Sequence, residues 1–239
     1  MLRQELKFVI HHSVRRMLLQ RWSPHLVRAA FTDSAARTPV LSQYYDSPTL
    51  TFATEKADGI PFRNKVRLRT YATDFDSGKA AFLEIKHRRF VGVHKYRQEI
   101  AHVSSEHLNP SRWTFDDPDM RARFCSLVET YHLRASAQTY FQREAYAASQ
   151  EGGLRITLDS NLVGLHPGER LTSNLLMDRR RSLMPDTLFI LEIKSNAALP
   201  RWVHDGIIAC ELEQKTIPKY VTAVNALKLG ELTGSGVYL

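Results

Sequence analysis

The sequence predicts an α+β fold built on a large antiparallel sheet, with helices packed on its outside. Two observations predict this fold class. Seven or eight segments alternate charged and aliphatic residues with the period of two that a β-strand imposes. The 239 residues also contain no linker rich in proline, glycine or serine that would divide them. We therefore expect a single domain over residues 1–239.

The predicted strands follow one another along the chain, separated by turn-forming stretches such as ADGIP and DFDSGK. The first strand lies in LRQELKFVI, the second ends in YYDSP at about Asp46, and RNKVRLRTY forms the third. The later ones are AAFLEIKHRR, VGVHKYRQEI, TYFQREAYA, GLRITLDSN and LFILEIKS. The QEGG turn predicts that TYFQREAYA and GLRITLDSN form a hairpin.

Helices are predicted between and after these strands. One runs from Val14 to Ala30, restarted by Ser23 as a cap and Pro24 in a first turn. Two more are predicted at about residues 104–113 and 119–133, the second from its apolar spacing. The last two lie in LPRWVHDGIIACEL and PKYVTAVNALKL.

The composition favours a polyanionic partner. Lysine and arginine total 33 against 25 acidic residues, which gives a net charge of +8. The run from Arg179 to Arg181 is interpreted as a solvated loop, and nucleic acid is not expected as a partner. Two cysteines suit a reducing compartment, and no stretch approaches the roughly 20 apolar residues of a membrane helix. A cytoplasmic protein is therefore predicted.

The pentapeptides FLEIK and ILEIK repeat one pattern more than a hundred residues apart. In each, a glutamate and a lysine share one strand face, Glu84 with Lys86 and Glu192 with Lys194, while aliphatic residues occupy the other. Such a charged face could simply meet solvent. Alternatively, a sheet of this many strands twists and tends to close into a barrel, which would turn the charges inward.

An inward basic face requires a highly charged anion. Two cations 4 Å apart repel by roughly 4 kcal/mol at an effective dielectric near 20. A chain of phosphates relieves this repulsion, because arginine forks and lysine ammonium groups bind phosphate oxygens. Carboxylates cannot bind phosphate directly, but they are ligands for hard divalent cations. One strand could thus supply a metal ligand and a phosphate clamp together.

These motifs, in order, resemble a known family. Arg3, Glu5 and Lys7 in R-x-E-x-K are followed by YYDSP, VRLRTY, FLEIKHR, HKYR, QREAY, LRITLDSN, LEIKSNAALPRW and PKY. The series is similar to the polyphosphate polymerase domain of vacuolar transporter chaperone (VTC) complexes, in the triphosphate tunnel metalloenzyme superfamily. The resemblance covers nearly the whole chain. It implies a closed eight-stranded antiparallel barrel around a tunnel that binds ATP or another triphosphate and polyphosphate with Mn²⁺ or Mg²⁺.

The resemblance also implies roles for individual residues. Its phosphate-binding positions fall on Lys7, Arg67, Arg69, Lys86, Lys95, Arg143, Arg155, Lys194 and Lys219. Among these, Lys7, Arg67, Arg69 and Lys86 are also assigned to catalysis, together with Glu192 as principal metal ligand. Glu5 and Glu84 either bind the metal or orient a lysine, and Asp159 is equally ambiguous.

Two positions depart from the wider pattern. Arg3 occupies the place of a first metal carboxylate, which resembles the polymerase branch of the superfamily. Pro218 stands where that branch often has serine, so one phosphate contact is missing from the pattern.

The expected reaction is phosphoryl transfer from ATP to a growing polyphosphate chain. Hydrolysis of tripolyphosphate or a nucleoside triphosphate remains an alternative, because it differs in water access rather than in ligand type. A non-catalytic polyphosphate-binding module is a second alternative. The sequence leaves the oligomeric state and a membrane-protein partner open.

Overall fold

The computed structural model describes residues 4–29, 37–90, 92–101, 103, 113–149, 152–215 and 217–229. Within them the chain forms an antiparallel sheet of nine strands with helices, which confirms the α+β class. The strands are β1 (Gln4–His11), β2 (Leu26–Arg28), β3 (Thr38–Asp46), β4 (Arg63–Thr70), β5 (Ala81–Arg89), β6 (Gly92–Ile100), β7 (Arg134–Ala148), β8 (Arg155–Leu165) and β9 (Leu188–Ser195). Their order in the sheet is β1-β9-β8-β7-β3-β4-β5-β6, and β2 pairs with β7.

The closed eight-stranded barrel expected from the sequence is not confirmed. The strand order begins at β1 and ends at β6, and within the described ranges no hydrogen-bonded register joins these two edge strands. Both edges carry charged side chains, a feature that discourages further strand pairing. Closure of the sheet into a barrel therefore stays a prediction.

The helices are α1 (His12–Trp22), α2 (Thr51–Ala57), α3 (Pro118–Tyr131), α4 (Ser173–Met177), α5 (Arg201–Ala209) and α6 (Lys219–Ala226). The prediction of a helix as far as Ala30 is wrong. A 3-10 turn at Ser23–His25, with Pro24 near its start, follows α1, and the chain then enters β2, the strand that the sequence did not predict. Most of the helix predicted at residues 104–113 lies outside the described residues, as does Arg3. No helix in the described ranges has the length and apolar character needed to span a membrane.

The described residues divide into two compact units. The first contains residues 1–38, 141–161 and 184–217. Its core packs α1 and α5 against the aliphatic face of β1, β8 and β9, and includes Phe8, Trp22, Ile156, Leu191 and Val203. The aliphatic residues of LEIK are therefore buried, as their alternation predicts.

The second unit contains residues 39–140, 162–183 and 218–239. Its core includes Val66, Leu68, Leu83 and Ile85 from β4 and β5, with Phe124 from α3. Since β7 and β8 contribute residues to both units, a single domain over the whole chain stays a prediction.

Candidate functional site

In the first unit, the charged faces of β1 and β9 form a cluster of two lysines and two glutamates. Antiparallel pairing sets Lys7 opposite Glu192 and Glu5 opposite Lys194. Lys7 Nζ lies 2.7 Å from Glu5 Oε1 and 3.3 Å from Glu192 Oε1. Lys194 Nζ donates to Glu192 Oε2 at 2.7 Å. We call these four residues the lysine–carboxylate cluster.

The electrostatics of this cluster keep Glu192 ionised. Burial by itself would raise the pKa of Glu192, but the charges of Lys194 and Lys7, and the hydrogen bond that Lys194 donates, lower it well below the usual range. The pKa of Lys7 shifts in the opposite direction. Its pKa is raised although burial opposes the charge, because Glu192 and Glu5 stabilise the ammonium. Both partners are therefore charged at neutral pH.

Beside this cluster, in the same unit, is a cavity of about 320 Å³. It is lined by Arg143, Gly153, Leu154, Arg155, Thr157, Lys194 and Asn196. Arg155 lies opposite Lys194 in the pairing of β8 with β9. The Oγ1 of Thr157, one of the lining residues, is buried and has no hydrogen-bond partner in the described part of the chain. Two arginines and a lysine around one cavity favour an anion.

Arg143 is held in position by Asp159. Its Nε and Nη2 donate to the two carboxylate oxygens at 2.6 and 2.8 Å, a bidentate pair. The carboxylate of Asp159 is buried. Asp159 therefore orients an arginine.

In the second unit, β4 and β5 bring together Lys65, Arg67, Arg69, Glu84 and Lys86, which we call the arginine cluster. The register sets Arg67 opposite Glu84 and Lys65 opposite Lys86. Arg67 Nε donates to Glu84 Oε2 at 2.7 Å, and its Nη2 contacts the same oxygen. Arg69 and Glu84 are only 6% and 9% exposed. The other three members of the cluster are half-buried, so this charged face does not simply meet solvent.

The crowding of cations lowers the pKa of Lys86 and of the neighbouring Tyr44. The charge of Arg67 and then burial lower the pKa of Lys86 to about 6, against the opposing charge of Glu84. Burial would raise the pKa of Tyr44, but the charges of Arg67 and Lys65 outweigh it and lower that pKa to about 7. Lys86 is therefore largely neutral at pH 7, and an arriving anion would favour its protonation.

Two more of the predicted phosphate-binding residues belong to this unit. Lys95 lies opposite Lys86 in the pairing of β5 with β6 and is exposed. Lys219 is the first residue of α6 and is half-buried. The next residue, Tyr220, donates its hydroxyl to Asp46 Oδ2 at 2.6 Å, so the PKY and YYDSP motifs meet.

The carboxylates of the lysine–carboxylate cluster fit a hard divalent cation. Mg²⁺ commonly takes one or two carboxylates and completes its shell with phosphate oxygens and water. Glu5 and Glu192, which both contact Nζ of Lys7, offer such a pair. In the described ranges no group of three or more His, Cys, Asp or Glu side chains is arranged to hold a metal. Glu84, the third carboxylate that the resemblance offers to the metal, contacts Arg67 in the other unit.

Several residues of these sites were not among the sequence-predicted ones. Lys65 and Thr157 could have been predicted from strand periodicity. Lys65 lies two residues from Arg67, and Thr157 lies two residues from Arg155, so each shares a strand face with a predicted residue. Tyr44 gives no such signal, since an aromatic residue in a strand is usually core. Asn196 follows the end of β9, where no strand period applies.

The chain is similar to known proteins in sequence and in structure. The model of the VTC domain family matches residues 2–228. No curated protein sequence matches the chain. Among solved structures, a candidate adenylate cyclase from Bacillus halodurans is 11% identical, covers 91% of this chain and 95% of its own, and has a TM-score of 0.51. At that identity the match indicates a shared fold.

Two further structures are similar over most of their length. The PH1819 protein from Pyrococcus horikoshii is 14% identical, with 95% of this chain and 99% of that one covered and a TM-score of 0.47. The triphosphatase of the Mimivirus capping enzyme is 10% identical, with coverages of 87% and 88% and a TM-score of 0.38.

Proposed function

The chain belongs to the VTC domain family, and from this we propose that it transfers the terminal phosphoryl group of ATP to a growing chain of inorganic polyphosphate. In this reaction the bond between the γ-phosphorus and the β,γ-bridging oxygen breaks, and a terminal oxygen of the polyphosphate bonds to the γ-phosphorus. ADP leaves, and the chain gains one phosphate. The membership confirms the resemblance read from the motifs; the choice of ATP and polyphosphate is our proposal.

The observation that carries the proposal is the pairing of Lys7 with Glu192 and of Glu5 with Lys194 on two neighbouring strands. Glu192, assisted by Glu5, would hold Mn²⁺ or Mg²⁺. The cation would neutralise phosphate oxygens during the transfer. Lys7 and Lys194, which bind Glu192 in the structure, are in reach to bind phosphate in the same cluster.

The remaining cations would position phosphate groups. Phosphoryl transfer requires little covalent help from a protein, so binding and charge neutralisation carry most of the catalysis. We assign this role to Arg143 and Arg155 in the first unit, and to Arg67, Arg69, Lys86, Lys95 and Lys219 in the second. A terminal phosphate is already an anionic nucleophile, so no general base is assigned. Glu84 then serves to orient Arg67.

The closed tunnel implied by the family resemblance is part of this proposal, as is a cytoplasmic location. Cys125 and Cys210 are both free, which suits a reducing compartment.

The test is incubation of the protein with γ-labelled ATP and Mn²⁺, followed by separation of the products on a gel. We expect a ladder of labelled polyphosphate chains that disappears when the metal is chelated. Label in free phosphate alone would replace the proposal with a triphosphatase. Binding of polyphosphate without turnover would indicate a binding module.

A matched pair of variants tests the role of Glu192. Glu192→Gln should reduce turnover by at least about a hundredfold, since a neutral amide is a poor ligand for a hard cation. Glu129→Gln, an exposed position on α3, should leave turnover unchanged. Circular dichroism controls for folding. Full activity of a folded Glu192→Gln protein would contradict the metal assignment.

A further inference from the structure

Within the second unit, the face of β5 and β6 that points away from the arginine cluster carries another basic pocket. It is a cavity of about 340 Å³ between these strands and α3. Its polar lining consists of His87, Arg89, His94, Tyr96, Arg123 and Ser126. Since successive strand residues point to opposite faces, His87 and Arg89 lie on the face away from Lys86. The pocket is therefore separate from the arginine cluster.

The lining of this pocket has the chemistry of an anion site. It contains two guanidiniums, two imidazoles and two hydroxyls, and none of its polar lining residues is a carboxylate. His87 and His94 lie directly opposite each other on the paired strands. In the described part of the chain, neither Arg89 nor Arg123 forms an ion pair with a carboxylate. Their charges therefore remain available to a ligand.

Arg123 is held where its fork can reach the cavity. Its guanidinium carbon lies 4.3 Å from the centroid of the Tyr96 ring, a cation–π contact. Stacking on the ring face leaves the N–H edges of the fork free to donate. These edges suit the paired oxygens of a tetrahedral oxyanion.

We propose that this pocket is a second anion-binding site, and that its ligand is a phosphoryl dianion. Two fixed positive charges with two imidazoles that can add more match a group with two negative charges better than a monocarboxylate. The dianion could be free inorganic phosphate or the end of a phosphate chain, which share this chemistry. The site goes beyond the proposed transferase activity, and neither its existence nor its test depends on that activity.

Proton uptake by His87 is a consequence of this arrangement. Its Nδ1 pairs with Asn64 Oδ1, which as a carbonyl oxygen only accepts, so Nδ1 carries the proton and Nε2 of the neutral ring has a lone pair. The other groups that face His87 are Arg89, His94, Tyr96 and Arg123. Burial and then the charge of Arg123 lower the pKa of His87. A bound dianion opposes that charge, so its affinity should rise as the pH falls.

The experiment monitors the imidazole signals of His87 and His94 by NMR in the full chain during titration with sulfate. Sulfate is a dianion throughout the pH range used, so any pH dependence of its binding belongs to the protein. We expect saturable shifts of both signals at pH 6.0 and binding about tenfold weaker at pH 7.5. Signals that do not respond to sulfate, or an affinity independent of pH, would overturn the proposal.

Paired variants distinguish this pocket from general attraction to a basic protein. Arg89→Gln combined with Arg123→Gln should weaken the sulfate titration at least tenfold. The control combines Arg88→Gln with Arg121→Gln, exposed residues of the same strand and helix outside the lining, and should change it less than twofold. These pairs remove the same charge. If the two double variants lose the same affinity for sulfate, the proposed site is not specific and the proposal is refuted.

Two further titrations identify the source of the phosphoryl group. Saturable shifts with inorganic phosphate would identify the free ion as a sufficient ligand. Shifts with tripolyphosphate only would identify the end of a chain. Either result supports the proposal, and failure of both ligands would overturn it. A protein that binds these anions in the pocket but has no transferase activity would refute the proposed function and leave the anion site standing.

Discussion

Lys86 is a residue whose charge is decided by its neighbours. In an isolated strand it would be an ordinary cation, but Arg67 and burial lower its pKa to about 6. Its partner across the sheet is Lys65, another cation. Because the folded pKa lies below the ordinary value, protonation opposes folding. The contribution of Lys86 to stability therefore falls as the pH decreases from about 10.5 toward 6.

Binding of tripolyphosphate to the arginine cluster should be accompanied by proton uptake at pH 7.5. An anion next to Lys86 raises its pKa again, so about one proton should be bound per ligand at this residue. Calorimetry in buffers of different ionisation enthalpy measures this number. Lys86→Met should reduce it by about one, whereas the exposed Lys79→Met should leave it unchanged. Equal proton uptake in all three proteins would contradict the lowered pKa.

Gly206 in α5 determines how closely α5 packs against α1. Gly206 faces the indole of Trp22 in α1, and a Cβ at this position would lie 2.8 Å from Trp22 Cε2 and would contact Nε1 as well. Trp22 is buried, and its Nε1 donates to the carbonyl of Trp202 at 3.1 Å. The indole cannot move away without losing that hydrogen bond. A glycine inside a helix is therefore required here by packing.

Gly206→Ala should destabilise the protein although alanine is the better helix former. The gain in helix propensity is about 1 kcal/mol, and overpacking of a core typically costs about 1–3 kcal/mol. We expect a lower midpoint of urea unfolding, with a net loss of up to about 2 kcal/mol.

Two controls separate packing from backbone effects. Gly152→Ala, where a Cβ meets no atom within 4 Å, should leave the midpoint nearly unchanged. Trp22→Phe should reduce the additional cost of Gly206→Ala, because the smaller ring leaves room for the methyl group. A Gly206→Ala protein more stable than the parent would show that α1 and α5 are not in tight contact.

The net charge of +8 acts at the scale of the whole molecule. Summed positive charge raises the rate at which an anionic ligand arrives, and salt screens this attraction over a Debye length of about 10 Å at 0.1 M. The members of the arginine cluster are buried or half-buried, so salt screens their contacts with a bound ligand less than it screens the long-range attraction before binding. Salt should therefore affect association more than dissociation.

Stopped-flow mixing with a fluorescent ATP analogue should show an association rate that falls at least about tenfold between 0.05 and 0.5 M salt. Arg67→Gln with Arg69→Gln should mainly increase the dissociation rate, because it removes direct contacts. Arg179→Gln with Arg180→Gln, an equal loss of charge at exposed positions, should change only the association rate. Identical effects of the two pairs would argue against phosphate binding by the arginine cluster.

The sequence by itself determined the local features of this protein. Strict alternation identified the strands around Arg67, Glu84 and Glu192, because a strand places successive side chains on opposite faces whatever its surroundings. The ordered motifs identified the family, now confirmed over residues 2–228. The end of α1 could not be read in this way, since Pro24 suits a new helix and a 3-10 turn equally well.

Only the tertiary structure decided which charges meet. The register of β1 with β9 brought Lys7 to Glu192, and a shift by one residue would have sent the same side chains to the other face. Burial then set the proton affinities of Lys86 and Tyr44, which depend on neighbours distant in the chain. Strand pairing also decided the order of the strands from β1 to β6, because that order joins segments distant in the chain and no local pattern shows it.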